Sequence, residues 1–189
     1  MARLRLVQVS IRPATSADLD AMIAIKHDAG VAAWAHILPG EVLEALPFLD
    51  RWADAIDEPD PRVGVLVAAS AGQVVGFAVT RPSGDAEADA STGELDGFFV
   101  DPAQWGIGAG RALLAAATQA LRDVGFNRAT LWTAEQNHRP RRIYEVAGWR
   151  TDGTVRRRAF GGVEFVELRY VLTFHSPAQI ALPREPPER

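Results

Sequence analysis

A strand that runs into a glycine-rich turn and then into an amphipathic helix constrains this chain more than any other feature. The run is Val100-Asp101-Pro102-Ala103-Gln104-Trp105-Gly106-Ile107-Gly108-Ala109-Gly110-Arg111-Ala112-Leu113-Leu114. Glycines in such a turn let the backbone come close to a ligand, with no Cβ in the way. The helix that follows directs its unpaired N–H groups and the positive end of its dipole into the turn. Together these make an anion site, most often for phosphate. Leu113, Leu114, Ala117 and Leu121 then share one face of a helix from about Gly108 to Val124, which Gly125 ends.

Two common phosphate patterns fail on specific residues. A dinucleotide fingerprint needs Gly-x-Gly-x-x-Gly, and Gly106 and Gly108 are followed by Arg111 where the third glycine belongs. The acidic residue that should end a second strand about 20 residues on is also missing, because Asp123-Val124-Gly125-Phe126 reads as a helix end. A P-loop needs a lysine beside its last glycine, and the only lysine is Lys26, far upstream.

The rest of the chain supplies a sheet for this loop. Val9–Pro13 alternates as a first strand, and Thr15 or Ser16 caps a helix expected to run to about Ala29, with Gly30 at its end. One or two short helices follow between Trp34 and Asp57, broken at Pro39 and Pro47. Val63–Ala69 and Val74–Thr80 form a hairpin across Ser70-Ala71-Gly72-Gln73. Ser83–Gly93 is a small, acidic loop, expected to be mobile, and Glu94–Val100 is the strand that enters the glycine turn. Ala129–Ala134 is strand-like, a helix carrying Tyr144 ends at Gly148, and Val155–Ala159 pairs with Val163–Leu172 across Phe160-Gly161-Gly162. The order describes a mixed α/β sheet domain.

The loop resembles the acyl-CoA loop of the GNAT superfamily of N-acyltransferases. There a strand ending in Val leads through a short turn, often with Pro, to Gln/Arg-x-x-Gly-x-Gly/Ala opening a helix. Val100, Pro102, Gly108 and Gly110 fall in those slots, and Ala112-Leu113-Leu114 matches the helix opening. Trp105 occupies the Gln/Arg slot, with Gln104 one residue early. A second block fits the family pattern Asn-x-x-Ala-x-x-x-Tyr-Glu-x-x-Gly-Phe: Asn137, Tyr144-Glu145 and Gly148-Trp149, with Pro140 in place of Ala and Trp149 in place of Phe. Ile11-Arg12-Pro13-Ala14 and Gly72-Gln73-Val74-Val75-Gly76-Phe77-Ala78 are also typical, so the resemblance spans roughly residues 9 to 172.

The resemblance implies an α/β (α+β mixed) fold with a central, mostly antiparallel, twisted sheet flanked by helices and with splayed central strands. It implies acetyl-CoA as cosubstrate and acetyl transfer to a primary amine of a small molecule or protein. Phe98, Phe99, Val100, Trp105, Gly106, Ile107, Gly108, Ala109, Gly110, Arg111, Asn137 and Tyr144 would bind the cosubstrate. A backbone N–H at Val100 or a neighbour would hold the developing oxyanion. Tyr144 takes the family's general-acid slot, yet an ordinary tyrosine near pKa 10 is a weaker acid than a thiol near 8.5, so full transfer is uphill by about 2 kcal/mol. It therefore reads as a hydrogen-bond donor to the leaving thiolate; the bland alternative is a packed helix tyrosine. Asn137 has a comparable alternative as a simple helix cap.

The amine must lose a proton, and for a lysine-like amine that costs about 4.6 kcal/mol at pH 7. Glu94 and Asp96 share one strand face and are candidate bases, against a plainer role as solvated strand residues. His27 and His36 lie in the family's substrate-facing helical region and Trp34, Phe48 and Trp52 could line an acceptor pocket, but a lone histidine there is more often structural and aromatics at such spacing are usually core. Arg139, Arg141 or Arg142 would approach the CoA phosphates unless these are only a solvated face.

Composition bounds the rest. At 189 residues the chain fits one domain, expected over 1–175, with a Pro-rich charged tail, 176–189, expected to be disordered. Twenty basic against 24 acidic residues, net −4, argues against a nucleic-acid partner and mildly favours a cationic acceptor. The absence of cysteine excludes a thiol nucleophile and disulfides, and the four histidines show no metal-ligand spacing, so no metal is expected. The opening has no signal-peptide core and no apolar run of membrane length occurs, so a cytoplasmic protein without membrane contact is expected. Dimers are common in the family, which makes a homodimer a candidate assembly. Two rivals remain: a non-catalytic acyl-CoA-binding or sensing module on the same fold, and a nicotinamide-dependent enzyme using the glycine loop.

Overall fold

Alternating apolar residues assemble seven strands into one sheet in the order β1-β2-β3-β4-β5-β7-β6. These are β1 (Val9–Pro13), β2 (Gly64–Ser70), β3 (Gln73–Pro82), β4 (Thr92–Val100), β5 (Arg128–Ala134), β6 (Arg150–Phe160) and β7 (Val163–Thr173). Helices α1 (Leu19–Trp34), α2 (Gly40–Glu44) and α3 (Arg51–Asp57) precede β2, α4 (Ala109–Asp123) joins β4 to β5, and α5 (His138–Val146) joins β5 to β6. This computed structural model describes residues 8–44 and 51–174; the expectations for Pro47, Phe48, the chain start and the 176–189 tail lie outside them. Among the described residues no helix is long and apolar enough to cross a membrane.

Neighbouring strands are antiparallel throughout, except β4 and β5. A parallel pair needs a long crossover, and α4 supplies it. The β4–β5 ladder is short: Thr92 pairs with Arg128, Gly93 with Ala129 and Glu94 with Thr130. Past Glu94 the two strands part, which is the splay implied by the resemblance. A register shift accompanies the parting, since Val79 faces Gly97 but Thr80 faces Leu95, leaving Asp96 as the extra residue of a bulge.

Each face of the sheet has its own core. Leu113, Leu114, Ala117 and Leu121 of α4 pack with Leu95, Leu131, Tyr144, Trp149 and Tyr170. Met22, Ile25 and Trp52 pack with Val65, Val67, Phe77 and Val79 on the opposite face. The helical spacing read in α4 thus marks its buried stripe.

Three local expectations are corrected. Helix α1 continues through Gly30 to Trp34, because Gly30 is buried in the helix and Trp34 then meets Phe165 edge-on at 4.9 Å; packing outweighs the roughly 1 kcal/mol helix penalty of glycine. Strand β6 starts at Arg150 rather than Val155, since Arg150 and Thr151 pair with Val171 and Tyr170 before an irregularity ahead of Val155. The acidic 83–91 loop is pinned: Asp85 and Glu87 both accept from the guanidinium of Arg169, which is itself buried, and Trp132 Nε1 donates to Asp85 Oδ1 at 2.8 Å.

Asp18 closes the entry to α1. It accepts two bonds from Arg12 at 2.7 and 2.8 Å, plus the Thr15 N–H at 2.8 Å and the Thr15 hydroxyl at 2.9 Å. The Arg12 bonds lead in holding its carboxyl far below the ordinary range. A depressed carboxyl adds stability above its unfolded pKa, about 3.9, and loses it as pH falls toward the folded value. Asp18→Asn is therefore expected to cost about 2 kcal/mol at pH 7, and the gap to wild type should narrow below pH 4 in urea titrations.

Candidate active site

The glycine turn sits at the open end of the β4–β5 gap. Gly106 and Gly108 both have φ of +92°, and Gly108 is the residue that caps α4. A Cβ at either would meet nothing within 4 Å, so the need for glycine is conformational. The N–H groups of Gly106 through Arg111 donate to no acceptor among the described residues; the helix ladder begins with Ala112 N–H to the Gly108 carbonyl at 3.1 Å. Six consecutive unused donors at a helix N-terminus form a cradle for an anion.

Trp105 fills the slot where the family has Gln or Arg, and the structure gives it work. Its indole Nε1 donates to the Val100 carbonyl at 2.9 Å, which locks the turn to the strand end. Its ring carries the guanidinium of Arg139 at 3.9 Å, so a cation stands beside the cradle although position 105 has none. Arg141 and Arg142 do not join it. Arg141 bonds Tyr170 and the Glu135 carbonyl, and both residues line a cavity toward β6 and β7.

Strand alternation decides which groups of β4 face the gap. Asp101 N–H bonds the Val75 carbonyl of β3, so Phe99, in step with it, also turns toward β3. Phe98 and Val100 accordingly direct their backbone groups into the gap, where β5 has withdrawn. Phe99 is not brought there: its ring stacks on Phe77 at 4.9 Å on the α1 side. The Phe98 ring lies on the α4 side, 5.8 Å from that of Tyr144.

Tyr144 projects from α5 between Phe98 and Tyr170 and is buried. Its hydroxyl has no hydrogen-bond partner among the described residues. Burial, helped by Tyr170, pushes its pKa above the ordinary tyrosine value. A raised pKa keeps the hydroxyl protonated and favours a hydrogen-bond donor over a full proton donor. Asn137 caps α5, but its side chain makes no cap bond, so the simple-cap reading lacks the contact it requires. Pro140 falls in the first turn of α5, where no N–H is needed, so replacing Ala there breaks no helix bond.

Glu94 lies on the opposite face. A Cβ on Gly93 would strike Leu121 and Phe126 on the α4 side, so the next residue points to the α1 side. Its carboxylate is buried, accepts the Gly84 N–H at 3.0 Å and stands 3.6 Å from Arg81. Burial pushes its pKa up against those two partners, with Asp96 and Asp85 adding to the rise. Asp96 is exposed and paired with Arg81 at 2.8 Å. Of the two carboxylates, Glu94 is the buried one, and its pKa is raised by desolvation.

The remaining candidates scatter. Trp52 packs on Phe77 at 4.9 Å in the core. Exposed His27 lies beside Asp28, and His36 Nε2 meets the Gln136 carbonyl at 2.9 Å, tying the end of α1 to the β5–α5 turn. Arg81, Gly84, Asp85, Trp132 and Arg169 surround the Glu94 side of the gap and were not legible, since only long-range pairing collects them.

A model of the acetyltransferase (GNAT) family matches residues 29–149. The chain belongs to that family. Within it, the chain is 39% identical over 102 residues to a mycothiol acetyltransferase of Thermobispora bispora, covering 52% of this chain and 34% of that one. The chain therefore spans about a third of that relative's length. It is 34% identical over 119 residues to an aminoglycoside N(6')-acetyltransferase type 1 of Stenotrophomonas maltophilia, covering 61% of this chain and 69% of that one. The PaiA N-acetyltransferase of Thermoplasma acidophilum, solved in complex with coenzyme A, has the same fold at 18% identity, with a TM-score of 0.67 over 88% of this chain and 99% of that one.

Proposed function

We propose that this GNAT member transfers an acetyl group from acetyl-CoA directly to a primary amine. The observation that carries the reading is the row of unused amides from Gly106 to Arg111, opening on a gap with Tyr144 on one face of the sheet and Glu94 on the other. The cradle fits a diphosphate in charge and in donor number, with Arg139 as an added cation. Acetyl-CoA supplies an activated acetyl thioester there.

The chain's own groups divide the chemistry. Phe98 and Val100 offer backbone groups that orient a pantetheine arm along the gap, and their N–H groups stabilise negative charge on the thioester oxygen. Glu94, reached from the α1 side, takes a proton from the substrate ammonium, directly or through a water, and the neutral amine that results attacks the thioester carbonyl. The Tyr144 hydroxyl donates a hydrogen bond to the departing sulfur. A non-catalytic acyl-CoA sensor has no use for a buried Glu94 opposite an unpartnered Tyr144, so catalysis is the better reading. The mycothiol and aminoglycoside relatives support an amine acceptor. A cytoplasmic location and a homodimer belong to the same proposal.

The test is amine-dependent thiol release from acetyl-CoA across a panel of small amines and peptides. Tyr144→Phe should lower kcat about tenfold with CoA affinity changed less than about twofold. Equal turnover would remove the role of the hydroxyl, and thiol release independent of amine would contradict acetyl transfer.

A further inference from the structure

A second basic site lies behind α5. Arg141, Arg142, Glu145 and Val146 of that helix, with Arg150 and Thr151 of β6 and Tyr170 of β7, line a solvent-open cavity of about 430 Å³. Strand order sets it apart from the cofactor gap, because β7 and β6 follow β5 on the side away from β4. In a protein of net charge −4, this cavity collects three guanidiniums and one carboxylate.

The cations are held by neutral acceptors rather than by direct ion pairs. Arg141 Nε donates to the Tyr170 hydroxyl at 3.0 Å and its Nη1 to the Glu135 carbonyl at 2.6 Å. Arg150 Nη1 donates to the carbonyls of Glu145 and Trp149, both at 2.8 Å. These contacts fix two guanidinium planes and leave the Nη2 edge of each without an acceptor among the described residues. Arg142 has no hydrogen-bond or ion-pair partner among them. Glu145 offsets one of the three charges but is directly paired with none of them: its Oε1 accepts the Tyr170 hydroxyl at 2.6 Å, so the cavity keeps an excess of positive charge. By contrast Arg12, Arg81, Arg128, Arg156 and Arg169 each sit against a carboxylate.

We propose that this cavity binds the phosphoryl group of a small molecule, separately from the diphosphate cradle. Fixed guanidinium edges match the oxygens of a phosphoryl group pairwise, and the Thr151 hydroxyl adds a neutral donor. Val146, which also lines the cavity, is 75% exposed and offers an apolar surface to the remainder of such a molecule.

The probe is inorganic phosphate, titrated by calorimetry and by amide NMR at constant ionic strength with saturating CoA occupying the cradle. Wild type should show one saturable site with shifts at Arg142, Arg150 and Thr151. Arg142→Gln, which breaks no internal contact, and Thr151→Glu should each weaken phosphate at least about tenfold, with CoA affinity unchanged. No saturable binding in the wild type, or unchanged phosphate affinity in a folded Arg142→Gln, would overturn the site. Neither outcome bears on acetyl transfer, because no turnover is read.

Discussion

Glu94→Gln is expected to lower kcat/KM for amine acetylation by about two to three orders of magnitude. The change is isosteric, and glutamine still offers an oxygen to the Gly84 N–H that bonds Glu94 at 3.0 Å. What it removes is a proton acceptor whose pKa burial has already lifted above the ordinary range near 4.3. The wild type should show kcat/KM rising with pH through that elevated value, and the variant should lack this limb. The stability effect has the opposite sign. A carboxyl with a raised folded pKa contributes its stability below the unfolded pKa and loses it as pH rises through the folded one. Above the folded pKa the wild type has lost that contribution, so there the glutamine variant should be equally or more resistant to urea while being nearly inactive. Asp96→Asn is the comparison: exposed and already paired with Arg81 at 2.8 Å, it should change the rate far less. Wild-type activity in Glu94→Gln would dismiss Glu94 as the base.

Gly108→Val carries the second large effect. At φ +92° a β-branched residue is strained by about 1–3 kcal/mol, and the backbone would relieve it by turning. Turning at Gly108 misdirects the neighbouring amides of the cradle. Losing two charge-assisted bonds to a diphosphate would weaken CoA about 100-fold or more. No protein atom lies within 4 Å of the added Cβ, so the domain should stay folded, with a lower melting temperature. Calorimetry on the folded variant decides the matter, and an affinity within about threefold of wild type would contradict the cradle.

The loop and the Tyr144 helix were legible because their signals are local. Gly106, Gly108 and Gly110 mark a backbone need, and Leu113, Leu114, Ala117 and Leu121 mark a buried stripe, all within a single strand–turn–helix. The sequence also offered two carboxylates, Glu94 and Asp96, as candidate bases. It could not choose, because the choice depends on Gly84 folding over Glu94 and Arg81 reaching Asp96, contacts made across the sheet. The use of Trp105 was equally hidden. Its indole bond to the Val100 carbonyl is local, but Arg139 over its ring comes from the far side of the gap. The acidic 83–91 loop misled for the same reason: its small polar composition signals mobility, whereas Arg169, distant in the chain, holds Asp85 and Glu87 in place.

The most direct measurement is an amide NMR titration of this 20.5 kDa chain with coenzyme A. The N–H protons of Gly106 to Arg111 should move downfield together and saturate with the same affinity as the whole ligand, as unused donors gain phosphate oxygens. Saturable binding of coenzyme A that leaves those six amides where they were would contradict the cradle, and with it the site built around the gap.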